Sequence, residues 1–340
     1  MKIRYMNLIA AASLGAAFFA HAQAAPASAP QKQAPAATQQ AKTPAPALQL
    51  STPGKAPAPP PPVQFPPVDP KNFTATSPSV ETVNAFLKQI WGYDPNRRWQ
   101  VQSIETTEAP GVSNVVVMVA EDGVSRQPGQ TALFVLPDGK HAIAGNQIMA
   151  FGADPFGDIR AKLNAGANGP SRGSDSKALE LVEFADLQCP HCKEAQATVE
   201  HILQDFPTAR LVFENFPLTS VHPAAEKAAE YGVCVAKTKG NAAFFQYVQA
   251  VFDNQAKLTP DATEATLKDA ATKAGADPSA VKKCLEDPAT KADVAASLKL
   301  GYDVKVNATP TLFVSGRAVP INALPYNTVK QLVAFAVNQK

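Results

Sequence analysis

The sequence predicts an α/β protein with two folded units, and three features of the chain support this. First, the apolar run at residues 179–184 has the length and composition of a buried strand, and Pro190 shortly after it suits the first turn of a helix. Second, residues 72–168 combine one amphipathic helical pattern with short strand-like runs separated by glycine turns, which is typical of a small α+β unit. Third, 340 residues with 45% hydrophobic content are enough to build two cores.

Residues 1–24 have the pattern of a secretory signal peptide. Two basic residues precede an apolar run at residues 8–20, and small residues follow at a spacing suited to cleavage near Ala22 or Ala24. The run is too short to span a bilayer comfortably, so an uncleaved anchor is the less favoured interpretation. We therefore expect export across the inner membrane into the periplasm, an oxidising compartment in which disulfides persist.

Residues 25–70 are dominated by Ala, Pro, Gln, Lys, Ser and Thr, and they contain too few apolar side chains to repay the entropy of ordering. We predict a Pro/Ala-rich disordered spacer with polyproline character, with a proline-rich ligand segment as the alternative. The formal net charge of +2 does not indicate a nucleic-acid-binding or membrane-binding surface.

Residues 71–168 predict the α+β unit. Apolar residues at helical spacing predict a helix over residues 80–91 that Gly92 ends. Glycine-containing turns separate the strands that follow, and a connecting helix and a Gly/Ser/Asn-rich hinge come last. The predicted strands are 99–106, 112–120, 131–136 and 141–147, the helix is 154–163 and the hinge is 164–176.

The sequence Cys189-Pro190-His191-Cys192 follows the predicted strand 179–184 and opens the next helix. Backbone N–H groups and the helix dipole stabilise a thiolate at Cys189, which is the nucleophilic form in disulfide exchange. Cys192 is close enough to attack a mixed disulfide formed by the first cysteine. A zinc site would need a second Cys/His pair, and a structural disulfide in so small a ring is strained, so both are less favoured.

This motif resembles the active site of the DsbA-like thiol-disulfide oxidoreductases, periplasmic members of the thioredoxin superfamily. Glu183 lies where the family often has a buried acid, and residues 216–225 resemble the link into an inserted helical domain. Residues 308–314 are similar to the family's cis-proline loop and the strand after it. The resemblance implies a thioredoxin fold over residues 169–340 with a helical insert at about 220–302. Its predicted helices are 223–236, 242–252, 262–274, 278–286, 290–300 and 326–337, and its later strands are 210–213, 311–314 and one near 318–319.

The resemblance assigns roles within the motif. Cys189 is expected to be an exposed nucleophile whose pKa falls from about 8.5 into the range of roughly 3.5 to 7.5. Pro190 opens the helix, and His191 can place a positive charge or an N–H donor near the sulfur. Glu183 can accept the proton of Cys192 through water. The family's basic partner on the neighbouring strand is not a lysine here, so either Arg210 substitutes or the proton path differs.

Two further pairs of residues follow from the resemblance. A cis bond between Thr309 and Pro310 would offer the Thr309 backbone to an extended substrate, as in strand addition. Cys234 and Cys284 resemble an extra cysteine pair of the insert, and if joined they would close a loop of about fifty residues. A structural role for this pair is favoured over a second redox pair.

We therefore expect a periplasmic thiol-disulfide oxidoreductase that needs no cofactor or metal. Its partners would be unfolded or partly folded exported proteins with cysteines, and a membrane redox partner would recycle it. One alternative is a dimeric isomerase or reductase, because the architecture of the first unit is similar to the dimerisation domain of the periplasmic disulfide isomerases. Another is a chaperone or interaction module that binds clients through the first sheet.

Overall fold

The computed structural model describes residues 62–339, and the predicted signal peptide, most of the spacer and Lys340 lie outside the described residues. Within this range the chain forms two five-stranded sheets, each with its own hydrophobic core. No helix among residues 62–339 has both the length and the apolar character that crossing a membrane requires.

The first unit packs one helix against an antiparallel meander. Helix α1 (Val80–Trp91) begins where the Ser79 hydroxyl accepts from the N–H of Thr82 at 3.1 Å and ends at Gly92. Its buried face shares a core with the inner sides of the strands, which pair in the order β1-β2-β3-β4-β5. The strands are β1 (Arg97–Thr106), β2 (Ser113–Glu121), β3 (Gly129–Val135), β4 (His141–Ala144) and β5 (Gln147–Ala150).

The predicted strand 141–147 is wrong as a single element. It is split into β4 and β5 because Gly145 takes the left-handed conformation, with φ of 60°, and the chain reverses there. Ala144 then pairs directly with Gln147 across the new hairpin. Gly-Asn is a dipeptide that favours such tight reversals.

The end of the predicted spacer also differs from expectation. Residues 62–69 lack regular secondary structure, but they contact β1. The Arg98 guanidinium donates to the carbonyl of Val63 at 2.8 Å and lies 5.3 Å from the ring centre of Phe65. Val63 and Phe65 are apolar residues within the Pro/Ala-rich composition. Burial of their side chains stabilises the contact of this last part of the segment with β1.

The predicted hinge at residues 164–176 is largely structured. Helix α2 (Gly157–Gly166) extends into it, and β6 (Ser171–Gly173) pairs with the second sheet. At Gly169 a Cβ would clash with the carbonyl oxygen of Phe213, so only glycine lets the two backbones approach. Gly169 therefore serves close packing of the backbone, whereas the Gly/Ser/Asn-rich composition of residues 164–176 predicts a flexible hinge.

The second unit has the strand order β10-β9-β7-β8-β6, and it has the thioredoxin fold. Strand β7 is central and almost completely buried, and it runs parallel to β8 and antiparallel to β9. Helix α3 makes the crossover between the two parallel strands. The remaining bounds of this core are β7 (Leu179–Ala185), α3 (Pro190–Asp205), β8 (Ala209–Asn215), β9 (Thr311–Val314), β10 (Arg317–Val319) and α9 (Tyr326–Val337).

A helical insert separates β8 from β9. Its buried side chains form one cluster with Cys189 and Cys192, so the insert and the cysteine turn share a core. The insert helices are α4 (Ala225–Lys239), α5 (Asn241–Asp253), α6 (Thr263–Lys273), α7 (Pro278–Leu285) and α8 (Pro288–Asp303).

Candidate active site

The two cysteines of the Cys-Pro-His-Cys sequence lie at the turn from β7 into α3. Cys189 is the N-cap of α3, and its carbonyl accepts from the N–H of Cys192 at 3.1 Å. Both are free thiols, and Cys192 is fully enclosed. Cys189, expected to be exposed, retains only 5% of its accessible surface. The loop before β9 and the helical insert both cover it, since the Cys189 thiol contacts the carbonyl oxygen of Thr309 at 3.7 Å and Cys189 belongs to the buried cluster of the insert.

The two thiols differ sharply in acidity. Hydrogen bonding from the Cys192 thiol lowers the pKa of Cys189 to about 5, burial opposes this, and Thr309 and the N–H groups of Cys192 and His191 add smaller contributions in the lowering direction. Burial raises the pKa of Cys192 far above its ordinary value, and the neighbouring Cys189 raises it further. At neutral pH the negative charge therefore belongs to Cys189, which is the arrangement of a nucleophile and a second, protonated thiol.

The neighbours of the cysteines inside the motif act mainly through the backbone. Pro190 is the first residue of α3. The His191 side chain is 68% exposed, and its Nδ1 lies 3.0 Å from the Glu194 carboxylate, which raises the pKa of the imidazole. The expected donor beside the sulfur is thus the N–H of His191 rather than its ring. The backbone carbonyl of His191 accepts from Nδ2 of Asn322 at 2.8 Å.

Glu183 lies on β7 and is completely buried. Burial raises the pKa of its carboxyl to about 7, with Arg172 and the hydrogen bond from Gln196 opposing the shift. Nε2 of Gln196 donates to Oε1 of Glu183 at 2.9 Å, while Oε2 has no hydrogen-bond partner among the described residues.

Arg210 does not take the place of the family's basic partner. The β7–β8 register sets it opposite Glu180, and the two side chains form an ion pair at 3.0 Å. The side chain that contacts Glu183 is the neutral amide of Gln196, which also donates to the carbonyl of Cys192 at 3.3 Å and so links this part of α3 to Glu183. The sequence contained the signal: Gln196 follows Cys192 by four residues, one helical turn.

The loop before β9 supplies the other side of the site. The Thr309–Pro310 peptide bond is cis. The hydroxyl of Thr311 donates to the carbonyl of Ala308 at 2.7 Å and fixes the loop entering β9. The Thr309 backbone consequently lies next to Cys189, where a bound peptide would have to pass.

Four polar side chains to which the sequence analysis assigns no role hold the turn 185–189 in place. The Asp186 carboxylate is buried and accepts from the N–H of Gln188 at 2.7 Å and of Leu218 at 2.8 Å, and it pairs with Nδ1 of His222 at 2.9 Å. Oε1 of Gln188 accepts from the N–H of Ala224 at 2.7 Å, and Nε2 of Gln255 donates to the Cys189 carbonyl at 3.0 Å. The only sequence signal was a polar pair directly after a buried strand.

Cys234 and Cys284 are joined by a disulfide between α4 and α7, with their Cα atoms 5.6 Å apart. The Thr290 hydroxyl donates to the carbonyl of Cys284 at 2.7 Å. Within residues 62–339 no group of three or more His, Cys, Asp or Glu side chains is arranged to hold a metal ion.

Comparison with known proteins finds a family model that matches the second unit. Residues 167–334 match the family described as Thioredoxin. Among curated proteins, the Na(+)/H(+) antiporter NhaA 3 of Salinispora tropica is 32% identical over 146 residues, which cover 43% of this chain and 21% of that protein. The Na(+)/H(+) antiporter NhaA 1 of Salinispora arenicola is 33% identical over 153 residues, covering 43% and 21%. The match thus spans about a fifth of the length of these relatives.

Solved structures that the chain is similar to cover about half of it. A periplasmic thioredoxin-like protein from Salmonella enterica serovar Typhimurium is 24% identical with a TM-score of 0.44, covering 53% of this chain and 96% of that one. Oxidised BdbD from Bacillus subtilis is 23% identical with a TM-score of 0.44, covering 50% and 93%. The thiol-disulfide exchange protein alpha-DsbA2 from Wolbachia pipientis is 18% identical with a TM-score of 0.42, covering 52% and 96%.

Proposed function

Residues 167–334 match the family described as Thioredoxin, and from this premise we propose that the protein is a periplasmic thiol-disulfide oxidoreductase that forms disulfides in exported proteins. The observation that carries the proposal is the pairing of a Cys189 thiol of pKa about 5 with a buried, protonated Cys192. The signal-like residues 1–24 support export. Cell fractionation that leaves the full-length protein in the cytoplasm would contradict the proposed location.

The reaction begins with the Cys189–Cys192 disulfide. A client thiolate attacks the sulfur of Cys189, a client–Cys189 bond forms, and Cys192 leaves with the electron pair and takes up a proton. Glu183, with its pKa of about 7, can supply that proton through water. A second client thiolate then attacks the client sulfur and releases Cys189 as a thiolate. The client has lost two electrons, which the reduced pair passes to a membrane redox partner.

The same steps in reverse describe a reductase or isomerase, in which Cys192 resolves the mixed disulfide. The low pKa of Cys189 favours the oxidising direction, because a stabilised thiolate is a good leaving group and favours the reduced protein. The Thr309 backbone is suited to pair with an extended client strand beside the sulfur.

The deciding experiment is the equilibrium redox potential of the Cys189–Cys192 pair against glutathione. Mass spectrometry would follow Cys234 and Cys284 separately, so that their disulfide does not contribute to the reading. We expect a value near −120 mV, typical of strongly oxidising members. A value below about −200 mV would contradict the oxidase direction and favour reduction or isomerisation.

One observation favours the isomerase-like alternative, which requires a homodimer. Among residues 62–339, strand β5 is an unpaired edge of the first sheet, it contains no lysine or proline, and Ile148 on it is 69% exposed. Ile148 pairs with Ile143, which lies beside the 44% exposed Phe134, so an apolar patch adjoins the free edge. Such an edge can pair with a second copy.

Light scattering coupled to size-exclusion chromatography tests this alternative. A dimer that Ile148→Lys converts to a monomer, and that Val124→Lys on an exposed turn leaves intact, would support it. A monomeric wild-type protein would exclude the dimeric isomerase.

A further inference from the structure

Asp186 and His222 form a polar pair directly beneath the cysteine turn. Asp186 is 1% exposed and its side chain is fully enclosed, while the His222 side chain is 20% exposed. A carboxylate oxygen accepts hydrogen bonds, so Nδ1 of His222 is the donor in their 2.9 Å contact. The two residues are 36 positions apart and join the turn after β7 to the loop that enters the insert.

An enclosed carboxylate is costly unless its acceptor sites are filled. Here three donors converge on it: the N–H groups of Gln188 and Leu218 and the His222 ring. Each donor comes from a different point on the turn or the entry loop. The hydrogen bonds to the Asp186 carboxylate therefore fix the backbone conformation of residues 186–189.

The backbone of Asp186 in turn contacts the redox pair. Its N–H donates to Sγ of Cys192 at 3.4 Å, and its carbonyl accepts from the N–H of Cys189 at 3.1 Å. A thiolate at Cys192 must form during every turnover, whichever direction the exchange takes. The Asp186 N–H is the backbone donor to the Cys192 sulfur and, together with a hydrogen bond from Thr309, stabilises this anion.

We propose that Asp186 and His222 are positioning residues of the redox pair: His222 orients the Asp186 carboxylate, and the carboxylate fixes the turn so that the Asp186 N–H meets the sulfur of Cys192. The inference rests on the proposed redox function and adds two residues to it. It predicts that loss of the His222 donor slows the step in which Cys192 acts as an anion and spares the attack by Cys189.

Oxidised glutathione can serve as the probe because it separates the two steps. The Cys189 thiolate attacks one of its sulfurs, a mixed disulfide forms, and one glutathione thiolate leaves. Cys192 then loses its proton and attacks the sulfur of Cys189; the Cys189–Cys192 bond forms, and the second glutathione leaves with the electron pair. Acid-quenched flow with mass spectrometry of the full-length reduced protein measures the appearance and the disappearance of the adduct.

Three substitutions at His222 test the proposal. His222→Ala removes the donor, His222→Leu removes it while keeping most of the volume, and His222→Asn restores an N–H at the position of Nδ1. We expect Ala and Leu to slow adduct resolution about tenfold, with adduct formation within about twofold of wild type and Asn restoring the rate. The matched control is His201→Ala. The His201 ring packs on Tyr326, with the ring centroids 5.5 Å apart, and its removal should change neither step.

The outcomes are distinguishable. If folded Ala and Leu variants resolve the adduct at the wild-type rate, or if both steps slow equally, the positioning role is overturned while the redox function stands. Thermal unfolding reports whether each variant is folded. If His222→Ala does not fold, the comparison is made with His222→Leu. A wild-type protein that forms no glutathione adduct would remove the proposed function, and this inference with it.

Discussion

Glu183 is an ionisable group whose charged form the fold disfavours. Burial raises its pKa from 4.5 to about 7, so the folded protein holds a proton that the unfolded chain releases near pH 4.5. Between these two values the folded state binds more protons, and stability falls as pH rises through the window. Below about pH 4.5 both states are protonated and the penalty disappears.

The first prediction is that Glu183→Gln stabilises the protein at pH 8 and not at pH 4.5. The free energy of unfolding should rise by on the order of 3 kcal/mol at pH 8, because the uncharged amide keeps an acceptor for Gln196 and has no charge to bury. Urea unfolding at both pH values measures the difference. Glu286→Gln, at an exposed position, is the control and should change stability at neither pH. Equal effects of Glu183→Gln at the two pH values would contradict the prediction.

The second residue-scale prediction concerns the thiolate of Cys189. Ultraviolet thiolate absorbance of the reduced protein should titrate with a midpoint near pH 5 and disappear below it. Cys192→Ala should move the midpoint upward, because hydrogen bonding from Cys192 is the largest cause of the low pKa. Cys189→Ala should abolish the transition. A midpoint that Cys192→Ala leaves unchanged would show that the helix terminus alone sets the pKa.

At the scale of elements, local signals decided what the sequence could predict. The bounds predicted for α1 and α9 coincide with the structure, since Gly92 ends the first and Pro325 precedes the second. The thioredoxin fold of the second unit was also predicted correctly. The pairing of β6 with β8 was missed because it depends on a distant strand that composition does not encode. The split of β4 from β5 was also missed, although its cause is the local turn at Gly145.

The residues of the candidate site also divide into those with a local sequence signal and those that only long-range contacts bring together. Cys189 and Cys192 are three positions apart in sequence and were recognisable from their spacing and position. Asp186 and His222 meet only after the chain has passed through α3 and β8, so no local pattern links them. Glu183 was recognised as a candidate acid, whereas Gln196 as its partner emerged only from the packing of α3 on β7.

The element-scale prediction concerns the disulfide that ties α4 to α7. Residues 234 and 284 are 50 positions apart, and closing a loop of that length restricts the unfolded chain by about 4 kcal/mol on the loop-entropy model. Replacing both cysteines by alanine should lower the free energy of unfolding by about this amount while leaving the glutathione equilibrium of Cys189–Cys192 unchanged. Urea unfolding and the redox titration measure the two quantities. A changed redox equilibrium would contradict a purely structural role and point to a second redox pair.

At the scale of the whole molecule, the two units are joined through β10. The Arg317 guanidinium donates to the carbonyls of Gln89 at 3.0 Å and Ile90 at 2.6 Å, at the C-terminal end of α1. It also lies 5.0 Å from the ring centre of Tyr93 and 5.3 Å from that of Phe156. Burial lowers the pKa of Arg317. A cation at a helix C-terminus is favourable, since it satisfies carbonyls that the helix leaves free.

The units also meet beside this contact. Nε2 of Gln89 donates to Oε1 of Gln339 at 3.0 Å, and a cleft of about 390 Å³ separates Phe156 from Phe335. The cleft is lined by residues of both units and does not reach the cysteines. Arg317 is therefore the main polar connection between the first unit and the sheet that carries Cys189.

The last prediction is that Arg317→Met loosens this connection without altering the redox pair. The substitution keeps an unbranched apolar side chain but leaves the Gln89 and Ile90 carbonyls without their donor, so the closed arrangement should lose about 2 kcal/mol. Limited proteolysis between residues 152 and 157 should accelerate by at least about tenfold, and the radius of gyration from small-angle X-ray scattering should increase. Arg126→Met, on an exposed turn, is the matched control and should change neither. Unchanged cleavage in Arg317→Met would mean that apolar packing around the cleft holds the two units together. The guanidinium would then set the orientation of the units without stabilising their contact.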